Sequence, residues 1–305
     1  MRIGLVSDLH WMPNPPAASA AWHGTGEFKG ALERLREALR GFAQREVDAV
    51  VLAGDLAHNG DTESLVHVLT ACSEASSPVL VVSGNHDVAP DMRRLDRAHE
   101  LAAAGNVALA TSGGVRHGDV RVAGVHVGKT DGWFGASLRE LPPTHDWGDD
   151  NVVLISHYPA LSLAGPVSDR GFPYPGDLLD RGELAGLLIT RTAATIVLTG
   201  HVHARATLTE GPVLQLTAGA LIEAPYDAAV IDIDAAPAGG LTVTRDCVRL
   251  LAHTGVREPV LSPEQEAWRF DRIRWSAADA AARVHTDAAT SNDEASTQTA
   301  TQSGF

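Results

Sequence analysis

"AVVLAGDLAHNG", residues 49–60, carries the decision about the fold in its first seven letters. An unbroken apolar run ends in a glycine, and a carboxylate, Asp55, follows at once. A run that is β-branched and apolar on both faces marks a strand buried on both sides, as in α/β sheets. Four more runs have the same texture: "RIGLVS" 2–7, "VLVVSG" 79–84, "NVVLIS" 151–156 and "TIVLTG" 195–200.

The segments between them have helical spacing. "FKGALERLREALRGFAQRE" 28–46, "TESLVHVLTACSEA" 62–75 and "PDMRRLDRAHELAAAG" 90–105 each repeat apolar residues at that period. Asp61 is placed to cap the second, and Gly105 ends the third. Strand and helix alternating three times is the βαβ signature of an α/β fold. Later the texture changes. "VRVAGVHVG" 120–128, "PVLQLTAGA" 212–220, "AAVIDID" 228–234 and "LTVTRDCVRL" 241–250 read as strands with short turns, predicting a more antiparallel second half. Two layers of strands with helices outside fit this pattern. The segment 163–177, rich in Pro and Gly, reads as a long loop of the functional kind. Residues 276–305 have little to bury and read as a disordered tail.

Composition excludes some functions. The 305 residues carry a formal charge of −14, of which the last thirty account for only a small part, so the body is acidic as well. A broad basic face for nucleic acid is absent, which makes nucleic acid an unlikely partner. An acidic body still holds phosphate where a metal supplies local positive charge. Cys72 and Cys247, far apart, offer neither a disulfide framework nor a thiolate metal site and read as two buried thiols. No run has the length of a membrane span. Met1 opens directly into a strand with no basic, apolar leader, so the cytoplasm is the expected compartment.

Each of the five apolar runs is followed by residues that ligate metals. After the first come Asp8 and His10, after the second Asp55, and after the third Asn85, His86 and Asp87. His157 follows the fourth, and His201 and His203 the fifth. In α/β sheets, ligands bind beyond the carboxyl ends of the strands, so five strands deliver these side chains to one rim. Gly54, Gly84 and Gly200 directly precede three of the sites, where close backbone approach is needed. Carboxylate, imidazole and amide without thiolate suit Mn, Fe or Zn. Seven candidates (Asp8, His10, Asp55, Asn85, His157, His201 and His203) exceed one tetrahedral metal and suit two metals sharing a bridging carboxylate. His86 is left over for proton work.

"SDLH" 7–10, "GDLAHNG" 54–60, "GNHD" 84–87, "SH" 156–157 and "GHVH" 200–203 stand in the order and spacing of the calcineurin-like metallophosphoesterases. The sequence resembles that family over residues 2–203 in its motifs and to about 250 in its fold. In wording it looks most like the class III cyclic-nucleotide phosphodiesterase type. The resemblance implies a four-layer αββα sandwich, with two mixed sheets flanked by helices. It implies that Asp8, His10, Asp55 and His203 hold one metal and that Asp55, Asn85, His157 and His201 hold the other. It also implies that His86 contacts the phosphate and protonates the leaving oxygen. The implied activity is hydrolysis of a small phosphoester, most readily a diester, by a metal-bridged hydroxide. A phosphomonoesterase or a non-catalytic metal-binding scaffold are the alternatives. Residues 1–255 are then the catalytic domain, 256–275 a C-terminal segment packing on it and 276–305 the tail.

Other residues read two ways. Asp87 either caps the helix near Pro90 or orients His86. His58 and Asn59 fit a turn composition but lie within reach of the rim. Trp11, Trp22 and His23 either stack on substrate or pack over the sheet. Arg170 either clamps a phosphate or is solvated, and Phe172 and Tyr174 share its loop. His67, His99, His117, His253 and His285 are expected to be ordinary surface or core residues. The metals' identity and the oligomeric state have no signature in the sequence.

Overall fold

A computed structural model of the chain describes residues 1–15, 19–20, 25–88, 93–130, 135–236, 240–250 and 260–278. Its first part repeats strand and helix. In chain order come β1 (Arg2–Val6), α1 (Ala31–Gln44), β2 (Ala49–Ala53), α2 (Thr62–Cys72), β3 (Val79–Val82), the single turn α3 (Asn85–Val88), α4 (Arg93–Ala102) and β4 (Val107–Leu109). The second part contains β5 (Val115–His117), β6 (Val120–Val125), β7 (Asn151–Ser156), α5 (Ala164–Asp169), α6 (Arg181–Ile189), β8 (Thr195–Thr199), β9 (Ala206–Glu210) and β10 (Val213–Thr217). The chain then returns to the first sheet with β11 (Asp227–Ala236), β12 (Gly240–Arg249), β13 (Gln265–Phe270) and β14 (Trp275–Ala278).

The two large sheets have the orders β14-β13-β12-β11-β1-β2-β3-β4 and β9-β10-β8-β7-β6-β5. In the first, β1 to β4 run parallel, with Gly4 beside Val50 and Val50 beside Val79, while β11 joins β1 antiparallel. In the second, β7 lies parallel between β6 and β8, and β8 lies parallel to β10. Alternation along each strand divides the core. Val50, Leu52, Val79 and Val81 face α1, α2 and α4 through Leu35, Leu39, Phe42, Leu65, Leu69 and Leu95. Their neighbours Val51, Ala53 and Val82 face the second sheet, against Val153, Ile155, Ile196 and Leu198. Val152, Leu154 and Val197 on the far side pack under α6 through Leu184 and Leu188. The result is helix, sheet, sheet, helix, because the strands are apolar on both faces and both faces are covered.

Some expectations need correction. The second half is not uniformly antiparallel: β6, β7, β8 and β10 are neighbours in parallel, and β10 enters parallel to β8 because the β9–β10 hairpin carries the chain back first. The run 120–128 is broken at His126, which accepts from Ser83 N (3.0 Å) and hydrogen-bonds the Ala110 carbonyl (2.8 Å) instead of continuing the ladder. The segment 163–177 is not wholly loop. Residues 164–169 form a helix, and Pro166 is tolerated because it sits in the first turn, where backbone N–H groups have no helical partner. Cys72 is buried, its thiol pushed up to about 12 by burial, but Cys247 is only partly buried. Asp61 caps α2 as expected, accepting from Ser64 N at 2.8 Å. The C-terminal strand reaches Ala278, past the boundary drawn at 276, and the rest of the tail lies outside the described residues, as do Trp22, His23, His253 and His285. Among the described residues no helix is long and apolar enough to cross a membrane.

Candidate metal centre

The carboxyl ends of β1, β2 and β3 in one sheet and of β7 and β8 in the other converge on one point. Hydrogen bonds carry the pairing past the strand ends: Asp8 N to Gly54 O (3.2 Å), His10 N to Asp55 O (2.8 Å) and Gly200 N to His157 O (3.0 Å). The approach is very close. A Cβ on Gly200 would stand 1.7 Å from Ser7 Oγ and 2.5 Å from Asp8 Oδ2, and one on Gly84 would stand 2.1 Å from Asp55 Oδ1. Glycine is therefore required at Gly200 for the two sheets to meet and at Gly84 for the neighbouring loops of the first sheet to meet.

The backbone turns sharply there. Asp8, His10, Asp55, His201 and His203 all adopt left-handed φ, between 44° and 68°. That region is uncommon for residues with a side chain, and each such residue costs about 1–3 kcal/mol. Five of the seven sequence-derived ligand candidates thus sit in strained backbone, and the strain is what turns their side chains inward from the strand ends.

The side chains form overlapping clusters. His10 Nε2 lies 3.3 Å from His203 Nε2, 3.5 Å from Asp55 Oδ2 and 3.8 Å from Asp8 Oδ1. His203 Nε2 lies 3.3 Å from Asp8 Oδ1, and His157 Nε2 lies 3.2 Å from the same Asp55 Oδ2. Asp8, His10 and His203 form one group able to hold a cation, and Asp8, Asp55 and His157 form another. His201 joins through its ring, 5.2 Å from that of His157. Asn85 and His86 open α3 beside them, and His86 N donates to Asp55 Oδ1 at 2.9 Å. All of these side chains are buried. Asn85 Oδ1 and His157 Nε2 have no hydrogen-bond partner among the described residues. Buried polar atoms rarely stay unsatisfied, and a cation bound among these nitrogen and oxygen donors satisfies both.

The outer nitrogens of three of the imidazoles are committed. His157 Nδ1 hydrogen-bonds the Ala53 carbonyl (2.7 Å), His201 Nε2 the Gly176 carbonyl (3.2 Å) and His203 Nδ1 the Glu223 carboxylate (2.9 Å). Partners of this kind fix tautomer and ring orientation, leaving the other nitrogen to a metal. Charges respond to the crowding. Burial opposes a charged His203, yet Asp8 and Glu223 hold its pKa up at about 10. His157 is likewise held at about 9 by Asp55 against its burial. Burial, helped by His157, drives His201 down to about 3. Asp8, despite a burial that works the other way, falls to about 2 beside His203. Buried carboxylates here are balanced by protons on imidazoles, and a metal replaces those protons with its own charge.

Two residues escaped the sequence reading, and for a third, His58, it left a turn and a place at the rim both open. Glu223 is buried against His203. Its signal was a carboxylate inside the apolar stretch "GALIEAPY", since such a group is rarely buried without a partner. Tyr158 lays its ring on His201, centroids 3.8 Å apart. Of the two readings of His58, the place at the rim is the one the structure gives: its ring stacks on His86 (5.0 Å, 30°) and forms a third group of convergent imidazoles with His10 and His86. Asn59 is exposed. Asp87 accepts from Leu56 N, Ala57 N and Gly84 N at 2.9–3.0 Å and so ties the Asp55 loop to the His86 loop, while the helix start near Pro90 that it was a candidate to cap lies outside the described residues. Trp11 packs its ring at 4.9 Å from His67, Arg170 is exposed, Phe172 is buried with Val167 and Val202, and the Tyr174 hydroxyl bonds Asp177.

The sequence profile described as "Calcineurin-like phosphoesterase" matches residues 1–205. The chain belongs to the calcineurin-like phosphoesterases. It is a metallophosphoesterase by family, and its site contains clusters able to hold that family's metals. Two Escherichia coli proteins, from strains K12 and O157:H7, carry the name 3',5'-cyclic adenosine monophosphate phosphodiesterase CpdA. Each is 23% identical over 207 residues, covering 67% of this chain and 70% of its own. A dimetal phosphatase from Danio rerio has the same fold, with a TM-score of 0.56 at 13% identity, covering 82% of this chain and 96% of its own.

Proposed function

We propose that the chain is a dinuclear-metal phosphodiesterase acting on a small phosphoester, with cyclic nucleotides the first class to test. The observation that carries this is the single oxygen Asp55 Oδ2, placed between His10 Nε2 and His157 Nε2 at 3.5 and 3.2 Å. One carboxylate oxygen within reach of an imidazole from each cluster is suited to bridge two metals. In this reading Asp8, His10, Asp55 and His203 hold one metal, and Asp55, Asn85, His157 and His201 hold the other. Bound there, Mn, Fe or Zn ions supply Lewis acidity and a water activated at neutral pH.

The chain's own groups do the rest. Burial of the ligand side chains keeps bulk water from competing for the phosphoryl oxygens. His86 Nδ1 donates to the His58 carbonyl at 2.6 Å, which fixes the orientation of the ring beside Asp55. Only in its doubly protonated form would the ring also carry an Nε2 proton to give to the leaving oxygen, the work of a general acid. The E. coli relatives support a diester with a cyclic nucleotide as its type. The acidic body, at −14, speaks for a small substrate over a long polyanion.

The test compares Mn²⁺-loaded protein on bis(p-nitrophenyl) phosphate, p-nitrophenyl phosphate and cyclic AMP. Diester turnover exceeding monoester turnover is the expected result. A clear preference for the monoester transfers the reading to a phosphomonoesterase, and no turnover with metal bound transfers it to a scaffold.

A further inference from the structure

The loop that carries His201 and His203 is held from outside the region shared with the family. Both residues adopt left-handed φ, 68° and 50°. Such conformations persist only where the surroundings over-determine them. On one side the loop meets Leu163, Val167 and Phe172, which form a small core with Val202, Ala204 and Ala206. On the other side it meets residues 260–266. Arg205, two positions past His203, is almost wholly buried at 2% exposure. Its Nε donates to Ser262 O at 3.1 Å, its own carbonyl accepts from Leu261 N at 2.8 Å, and it forms a parallel bridge with Val260. Leu261 packs on the small core beneath the loop. The next two residues are tied as well. Arg245, also buried, donates to the Ala206 carbonyl at 3.2 Å and to Ser262 Oγ, and pairs with Glu266 at 2.6 Å. Thr207 Oγ1 donates to the same Glu266.

We infer that Arg205 is a positioning residue for the metal centre, and that residues 260–266 complete the site by clamping the His201–His203 loop through it. The clamp lies beyond residue 205, where the match to the family ends. A buried guanidinium is suited to the task, because it is rigid, planar and carries several donors in fixed directions. At the loop's exit Arg205 and Thr207 are pinned directly to one short segment, and Ala206 is tied to it through Arg245. The conformation at His203 then has one free end fewer. The inference rests on the metal-ligand reading above.

The experiment is calorimetric titration of metal-stripped protein with Mn²⁺ alone, with thermal unfolding of the same samples. Arg205→Gln removes the charge and the Nε donor. The expected result is a folded protein that binds Mn²⁺ about 10–100-fold more weakly, the usual cost of losing an outer partner of a ligand. Arg205→Lys, which keeps the charge, recovers part of that loss. Ile231→Val, a core change between the sheets, lowers the melting temperature and leaves the Mn²⁺ affinity unchanged. If Arg205→Gln folds and binds Mn²⁺ like the wild type, Arg205 is structural only and the inference is overturned. If it does not fold, Leu261→Ala decides by the same two outcomes, since it loosens the clamp by removing an apolar contact alone. A wild type that binds no Mn²⁺ defeats the metal-centre reading itself, and is thereby distinct from failure of the clamp.

Discussion

Glu223 gives the sharpest test of how the site is built, because its carboxylate bonds the outer nitrogen of His203 and belongs to neither metal cluster. Its Oε2 stands 2.9 Å from His203 Nδ1, and both side chains are buried. A hydrogen bond to a charged group contributes about 1.5–3 kcal/mol, and a buried donor left without its partner costs about 1–3 kcal/mol. At about 1.4 kcal/mol per tenfold, either figure converts to roughly a 10–100-fold change in metal affinity. Glu223→Gln keeps an acceptor and the volume, so it belongs at the lower end, at about tenfold. Glu223→Ala loses the acceptor as well and belongs at the upper end, at about 100-fold. The assay is the Mn²⁺ concentration that half-restores hydrolysis of bis(p-nitrophenyl) phosphate to metal-stripped protein. The maximal rate at saturating Mn²⁺ should change little, since the ligands themselves remain. If Glu223→Ala needs no more Mn²⁺ than the wild type, the assignment of Glu223 as the partner that orients His203 is wrong.

Further outcomes follow from other parts of the site. Gly200→Ala places a Cβ 1.7 Å from Ser7 Oγ, so the two sheets must part; a loss of about 3 kcal/mol or more in denaturant unfolding and a collapse of activity are expected, and a wild-type melting temperature would refute the close-approach argument. His58→Ala removes the ring stacked on His86, so turnover should fall about tenfold or more while metal content, read by atomic absorption, stays intact; equal loss of metal would make His58 part of the metal's cage instead. In metal-free protein His157 and His203 keep their protons up to about 9 and 10, so metal must displace them. Mn²⁺ affinity should therefore rise with pH from 7 towards 9, with about two protons released into the buffer, measured by calorimetry in buffers of different ionisation enthalpy. The same raised values mean that these two histidines stabilise the metal-free fold below an unfolded pKa near 6.5, an effect lost as pH rises through 9 to 10.

The layers of this fold were legible because the strands are buried on both faces, so their sequences are continuous apolar runs that end abruptly. The convergence of the candidate ligands was legible for the same reason, since Asp8, Asp55, His157 and His201 each follow such an end within two residues. What the linear pattern could not carry was contact between distant loops. Glu223 reaches His203 only because the β9–β10 hairpin folds the chain back across the rim. His58 has the composition of a turn and reveals itself only through the placement of His86. In a regular strand, side chains two residues apart such as His201 and His203 would point one way. The structure ends β8 at Thr199 and gives both residues left-handed backbone, which sends one ring towards His157 and the other towards His10. Arg205 had no visible signal, because its partners lie in a segment that shares no motif with the strand ends.

The most direct test of the central claim is metal content measured beside hydrolysis for wild type and Asp55→Asn. The shared Asp55 oxygen predicts two ions per chain and chelator-sensitive turnover in the wild type, and loss of both metal and activity in the variant. An Asp55→Asn protein that keeps its metals and its rate, or a metal-free wild type that hydrolyses phosphoesters at full speed, would contradict it.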